Sequence, residues 1–174
     1  MSMASPTEKK CYNIYMLYED IFSALNKKKI HYLVIGGVAV NLHGFPRTTL
    51  DLDIMISLAP ENRDEFYKLM QQLSFKSKKP ALARKLVLGE QLPGKIKVVT
   101  FYRDEFELID VFIQNPIDFE TAYKKRKIFR SGKVAISTIP YDTLLAMKRE
   151  SGRERDLIDV GYLEKIRREK KNGS

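Results

Sequence analysis

Cys11 is the only cysteine in the sequence, so no internal disulfide can form, and a reducing compartment, the cytoplasm, is expected. Long apolar runs are also missing. The longest, such as Tyr32–Val40, fall far short of the roughly 20 residues that a membrane span needs. The opening "MSMASPTEKKC" has no apolar centre of the signal-peptide kind. Internal repeats and low-complexity stretches are absent as well, which argues against a solenoid or a disordered tail.

What is present suits a globular fold. The 174 residues are 44% apolar and 30% charged, enough for one domain with a sizeable core. Thirty-one lysines and arginines against 22 acidic residues give a formal charge of +9. Such an excess favours polyanionic partners, RNA or phosphate-bearing substrates, although basic soluble proteins without them are common.

Apolar spacing predicts a leader over residues 1–12 and an amphipathic helix over 13–29, on Ile14, Leu17, Ile21, Phe22 and Leu25. "IHYLVIGG" reads as a buried strand stopped by glycines, "VAVNLHG" as a short helix, "FPRTT" as a turn and "LDLDIMIS" as a strand. "PENRDEFYKLMQQL" opens with proline and an acidic turn, both helix-start signals. Within residues 75–95, "KSKKP" reads as a loop, "ARKLVLG" as a strand and "EQLPGK" as a turn. Hairpins are predicted around "RDE" and "SGK", with a helix in "PIDFETAYKKRK" between them. Two helices close the chain. The expectation is α/β or α+β: a mixed sheet flanked by helices, with a main domain over 13–139 and a helical pair over 140–171 packed on it.

In the strand "LDLDIMIS", residues two apart share a face. Asp51 and Asp53 therefore stand side by side, with Leu50, Leu52, Ile54 and Ile56 on the opposite face. Parallel carboxylates repel one another unless a cation lies between them, and a hard ion such as Mg²⁺, with Mn²⁺ as an alternative, takes carboxylate oxygens. A pair of surface aspartates at a strand end is the plainer reading of the same pattern. Gly36 and Gly37, between a strand and a helix, put bare backbone N–H groups where phosphates bind, or else simply make a tight turn. In "FELIDVFI", Asp110 has Leu108 and Phe112 on its own face, a place where a charge is costly unless paired or metal-bound. It is a candidate base for an attacking hydroxyl, a candidate ligand for a second metal, or one half of a strand-end salt bridge. Arg47, four residues before Asp51, is placed to clamp a phosphate, with Thr48 beside it. His43 suits packing better than catalysis, and Tyr102, Tyr123 and Tyr141 are candidates to stack on a base.

The order "IGG", thirteen residues, "DLD", then "LID" resembles the nucleotidyltransferase superfamily built on the DNA polymerase β-type palm, with Gly37 where a serine is usual. "HGFPRTTLDLDI" and "YDTLLAMKRESGRERDLIDVGYL" resemble the abortive-infection and toxin–antitoxin branch. The likeness spans about residues 30–165. It implies a palm-like fold and metal-dependent transfer of an NMP from an NTP, with release of pyrophosphate, to a hydroxyl of RNA (tRNA, for example) or of a protein. It further implies metal ligation by Asp51, Asp53 and Asp110, active-site roles for Lys148 and Asp156, and places beside them for Arg153, Arg155 and Asp159. Read from the residues alone, Arg153–Asp156 and Arg155–Asp159 are equally intrahelical ion pairs. Lys148 either extends from a core face to solvent or reaches a triphosphate. A cognate antitoxin or toxin and a homodimer are partners the branch allows. The competing readings are a non-catalytic, antitoxin-like nucleotide binder and a basic RNA-binding module using "YKKRK" and "EKIRREKK".

Overall fold

The structure is a computed structural model that describes residues 18–90, 96–105 and 107–172. Its elements run α1 (Glu19–Lys27), β1 (Tyr32–Val34), α2 (Gly36–Leu42), β2 (Asp51–Ile56), α3 (Pro60–Gln72), α4 (Pro80–Leu88), β3 (Val98–Arg103), β4 (Glu107–Phe112), α5 (Phe119–Lys124), β5 (Lys127–Ser131), β6 (Val134–Thr138), α6 (Tyr141–Ser151) and α7 (Glu154–Asn172). The expected leader, and the part of the first helix carrying Ile14 and Leu17, lie outside the described residues. So does most of "EQLPGK".

Six strands form one mixed sheet in the order β3-β4-β2-β1-β6-β5. The two hairpins, β3–β4 and β5–β6, are antiparallel and make its two edges. In the middle, β1 pairs antiparallel with β2 and parallel with β6, while β2 runs parallel to β4. Burial follows this order. All three residues of β1 are buried, as expected of a strand covered on both faces, whereas β4 alternates buried and half-buried positions. Tyr18, Ile21, Phe22 and Leu25 of α1 and its cap belong to one buried core with Tyr32, Val34, Ile54 and Ile136, and the Phe22 ring stacks on Tyr32.

Two expectations are corrected. "ARKLVLG" is not a strand. Pro80 opens α4 at its first turn, Ala83 and Val87 face inward four residues apart, and Gly89 ends the helix in the left-handed conformation at φ +89°. The length and period of the segment are helical; only its apolar run resembles a strand. Leu50 does not join the buried face of β2. It lies one residue before the strand begins and is 77% exposed, while Leu52, Ile54 and Ile56 are fully buried. Among the described residues no helix is long and apolar enough to cross a membrane.

Candidate active site

The parallel register of β2 and β4 places Asp53 opposite Asp110 and Asp51 opposite Leu108. Three half-buried carboxylates, Asp51, Asp53 and Asp110, thereby converge, each offering an oxygen within 4.8 Å of the others. Burial, and then repulsion from Asp51 and Asp110, push Asp53 up to about 7, opposed in part by a hydrogen bond from the Gly37 backbone and by Lys148. Each outer carboxylate has a hydroxyl donor. Thr49 Oγ1 donates to Asp51 Oδ1 at 3.2 Å, and Thr100 Oγ1 to Asp110 Oδ1 at 2.6 Å. Oxygen-only donors, clustered and self-repelling, fit a hard divalent cation and suit neither a soft metal nor an empty core.

The glycines lean on this cluster. At Gly36, in the left-handed region at φ +61°, a Cβ would meet Asp53 Oδ2 at 2.0 Å; at Gly37 it would meet Thr49 Oγ1 at 2.5 Å and Arg47 Nη2 at 2.8 Å. Both positions are therefore glycine because carboxylate and turn side chains pack against bare backbone. The Ile35 N–H donates to the Asp53 carbonyl at 3.0 Å, fixing the end of β1 against β2.

The late segment arrives from the other side. Lys148 is buried, with Nζ 2.5 Å from Asp156 Oδ1 and 2.8 Å from Asp159 Oδ2. Asp159, 1% exposed, also meets Arg47 Nε at 3.0 Å. Burial opposes ionisation of Asp156, but hydrogen bonds from Lys148 and Ser151 hold its carboxyl below the usual range. Arg155 Nη2 donates to the Thr48 carbonyl at 2.7 Å, so it does not form an intrahelical pair with Asp159. Arg153 is exposed, near enough to Asp156 to favour its charge. Arg47 is held from both ends: Asn41 brackets its backbone through Nδ2 and Oδ1, at 3.0 and 2.8 Å.

The structure thus gathers Gly36, Gly37, Arg47, Thr48, Asp51, Asp53, Asp110, Lys148 and Asp156 about one end of the sheet. It leaves His43 elsewhere, its Nε2 against the Ile139 carbonyl and its ring edge-on to Phe129 and Tyr141, in a packing role. Tyr123 stacks on His31 and Phe119, and Tyr141 donates to the Leu163 carbonyl. Sequence reasoning missed Thr49, Thr100 and Tyr18. The Tyr18 hydroxyl bridges the N–H and carbonyl of Leu108 and is pushed up to about 12, first by burial.

Known structures share this architecture. A putative nucleotidyltransferase, TM1012 from Thermotoga maritima, matches with a TM-score of 0.57 at 14% identity, over 90% of this chain and 94% of that one. The chain has the nucleotidyltransferase fold. The lincosamide antibiotic adenylyltransferase LnuA, solved with lincomycin, matches with a TM-score of 0.54 at 18% identity, over 91% and 97% of the two chains. ANT(2")-Ia in complex with adenylyl-2"-tobramycin matches with a TM-score of 0.57 at 10% identity, over 87% of each. No protein-family model and no curated protein sequence matches the chain.

Proposed function

We propose that the protein is a metal-dependent nucleotidyltransferase that moves an NMP from an NTP to a hydroxyl and releases pyrophosphate. The observation that carries this reading is the convergence of Asp51, Asp53 and Asp110 beside glycines too crowded for any side chain. Asp51 and Asp53 would hold Mg²⁺ or Mn²⁺, with Asp110 as a further ligand. Bound there, the ion neutralises phosphate charge and stabilises the oxygens of an in-line displacement.

The chain's own groups supply position and proton transfer. Gly36 and Gly37 leave room for phosphates. Arg47, Thr48, Arg153 and Lys148 line the approach of a triphosphate, with Asp156 and Asp159 holding Lys148 and Arg47 in place. Asp110, steadied by Thr100, accepts the acceptor's hydroxyl proton. The acceptor oxygen bonds to the α-phosphorus as the bond to the bridging oxygen breaks, and pyrophosphate departs with that electron pair. Catalysis of this kind rests mainly on orientation and charge placement, so few side chains are required.

Two acceptor classes have support. The charge of +9 favours RNA such as tRNA, with a toxin–antitoxin or phage-defence role and a cognate partner following from the sequence likeness. The neighbours bound to lincomycin or to an adenylylated aminoglycoside favour a compact molecule instead. The test of the transfer itself is common to both. Labelled NTPs with Mg²⁺ and total tRNA, lysate or small alcohols should give labelled product with wild type and none with Asp51→Ala/Asp53→Ala. Equal labelling by the two proteins would overturn the assignment.

A further inference from the structure

A cavity of about 630 Å³ opens between α4 and the β3 edge of the sheet. It is walled by Leu82, Leu86, Ile96, Val98, Tyr102 and Leu108. Its inner end touches the catalytic cluster through two residues. Thr100 lines the cavity and donates to Asp110 at 2.6 Å; Leu108 lines it and pairs with Asp51 across the β2–β4 ladder. Its outer rim carries Lys78 and Lys79 against one aspartate, Asp104.

We propose that this trough is the acceptor site, and that the acceptor is a compact alcohol with a largely apolar body, neutral or anionic at its outer end. The assignment rests on the nucleotidyl-transfer reading. The volume suits a small organic molecule, for which pockets run to about 300–1,000 Å³ with mostly apolar walls and a few polar groups. Thr100 leads from the apolar wall to Asp110 through its 2.6 Å hydrogen bond, so a hydroxyl of the acceptor is directed inward to that carboxylate. Two lysines at the mouth disfavour a polycation of the aminoglycoside kind by like-charge repulsion. Among the described residues that line the trough the cations are Lys78 and Lys79, too few for a sugar–phosphate chain, whose binding depends on many phosphate contacts.

The probe for the site is 8-anilinonaphthalene-1-sulfonate, apolar with one anionic end, titrated by fluorescence against the full chain. One molecule should bind per chain. Ile96→Glu, at a position 43% exposed, should weaken that binding at least tenfold while the melting curve stays unchanged, and Lys78→Glu/Lys79→Glu should weaken it several-fold. Phe129→Glu, in the separate cavity beside His43 and Tyr141, should leave it unaltered. Binding that survives Ile96→Glu, or that is lost in Phe129→Glu instead, overturns the proposal. Pyrophosphate release is then measured with aryl alcohols, tobramycin or total tRNA as acceptor. Turnover with aryl alcohols that Ile96→Glu abolishes supports the assignment. Turnover with tobramycin or tRNA alone overturns it and leaves nucleotidyl transfer standing. Failure of wild type to bind a fluorescent ATP analogue with Mg²⁺ sinks the transfer reading, and the acceptor role with it, whatever the sulfonate shows.

Discussion

A methyl group on Gly36 would stand 2.0 Å from Oδ2 of Asp53. The glycine that opens α2 and the aspartate within β2 are thus a single packing unit. Gly36→Ala should fail twice over. A left-handed residue with a Cβ costs about 1–2 kcal/mol, and Asp53 must also move out of the cluster. Urea unfolding should show at least that loss. A divalent cation at a hundred times its Kd should stabilise wild type by about 2.7 kcal/mol and the variant by much less. An unchanged cation response in Gly36→Ala would contradict the pairing.

Asp53 makes the protein's stability depend on pH in an unusual direction. Burial, and then the charges of Asp51 and Asp110, push its carboxyl up from an ordinary 3.8 to about 7 in the fold. Between those values the folded state binds the extra proton, so without divalent cation stability falls as pH rises, by up to about 1.4 kcal/mol per unit. Asp53→Asn cannot titrate. Subtracting its unfolding free energy from that of wild type, measured in EDTA from pH 4 to 8, should give a difference that drifts against wild type as pH rises and levels off above 7. A flat difference would show that Asp53 ionises at an ordinary value.

Lys148 is the cation between two carboxylates, Asp156 at 2.5 Å and Asp159 at 2.8 Å. Removing one member of a buried ionic cluster leaves uncompensated charge, which costs roughly 3–5 kcal/mol. Lys148→Met should therefore destabilise by about 3 kcal/mol at pH 7, with the loss shrinking at low pH as Asp156, whose carboxyl Lys148 and Ser151 hold below the usual range, protonates. Arg153→Ala, at an exposed site, should cost under about 0.5 kcal/mol. Comparable losses in the two variants would mean that the buried cluster does not anchor α7.

Much of this arrangement was written in the sequence, because it depends on short-range periods. The two-residue repeat of a strand put Asp51 beside Asp53, and the strand–glycine–helix–strand order placed Gly36 and Gly37 near them. The helix in residues 80–88 was missed because its apolar run outweighed the Pro80 start and Gly89 stop that bound it. Leu50 was misplaced because a period says which face a residue takes only once the strand has begun. Lys148, Arg47 and Asp159 could be named as charged residues, but their partners come from α2, α6 and α7 folding together, which no spacing encodes. Intrahelical pairing, the local guess for Arg155 and Asp159, lost to tertiary contacts with Thr48, Arg47 and Lys148. Thr100 had a signal that went unused: in the hairpin turning near "RDE" it falls directly opposite Asp110.

Thr100 yields the sharpest test of that cluster. Its hydroxyl donates to Asp110 Oδ1 at 2.6 Å, a short bond of the charge-assisted kind. It touches no reacting atom itself, so any effect must pass through the orientation of Asp110. Groups that orient metal-binding carboxylates typically contribute 10–100-fold to affinity. Thr100→Val keeps the branched shape that β3 favours and removes only the donor. The variant should melt within a few degrees of wild type, yet bind Mn²⁺ at least tenfold more weakly when titrated by calorimetry or electron paramagnetic resonance. Thr100→Ser, which restores a hydroxyl, should recover most of that affinity. If Thr100→Val binds Mn²⁺ as wild type does, Asp110 is not held by this bond, and Asp51 and Asp53 alone would account for the site.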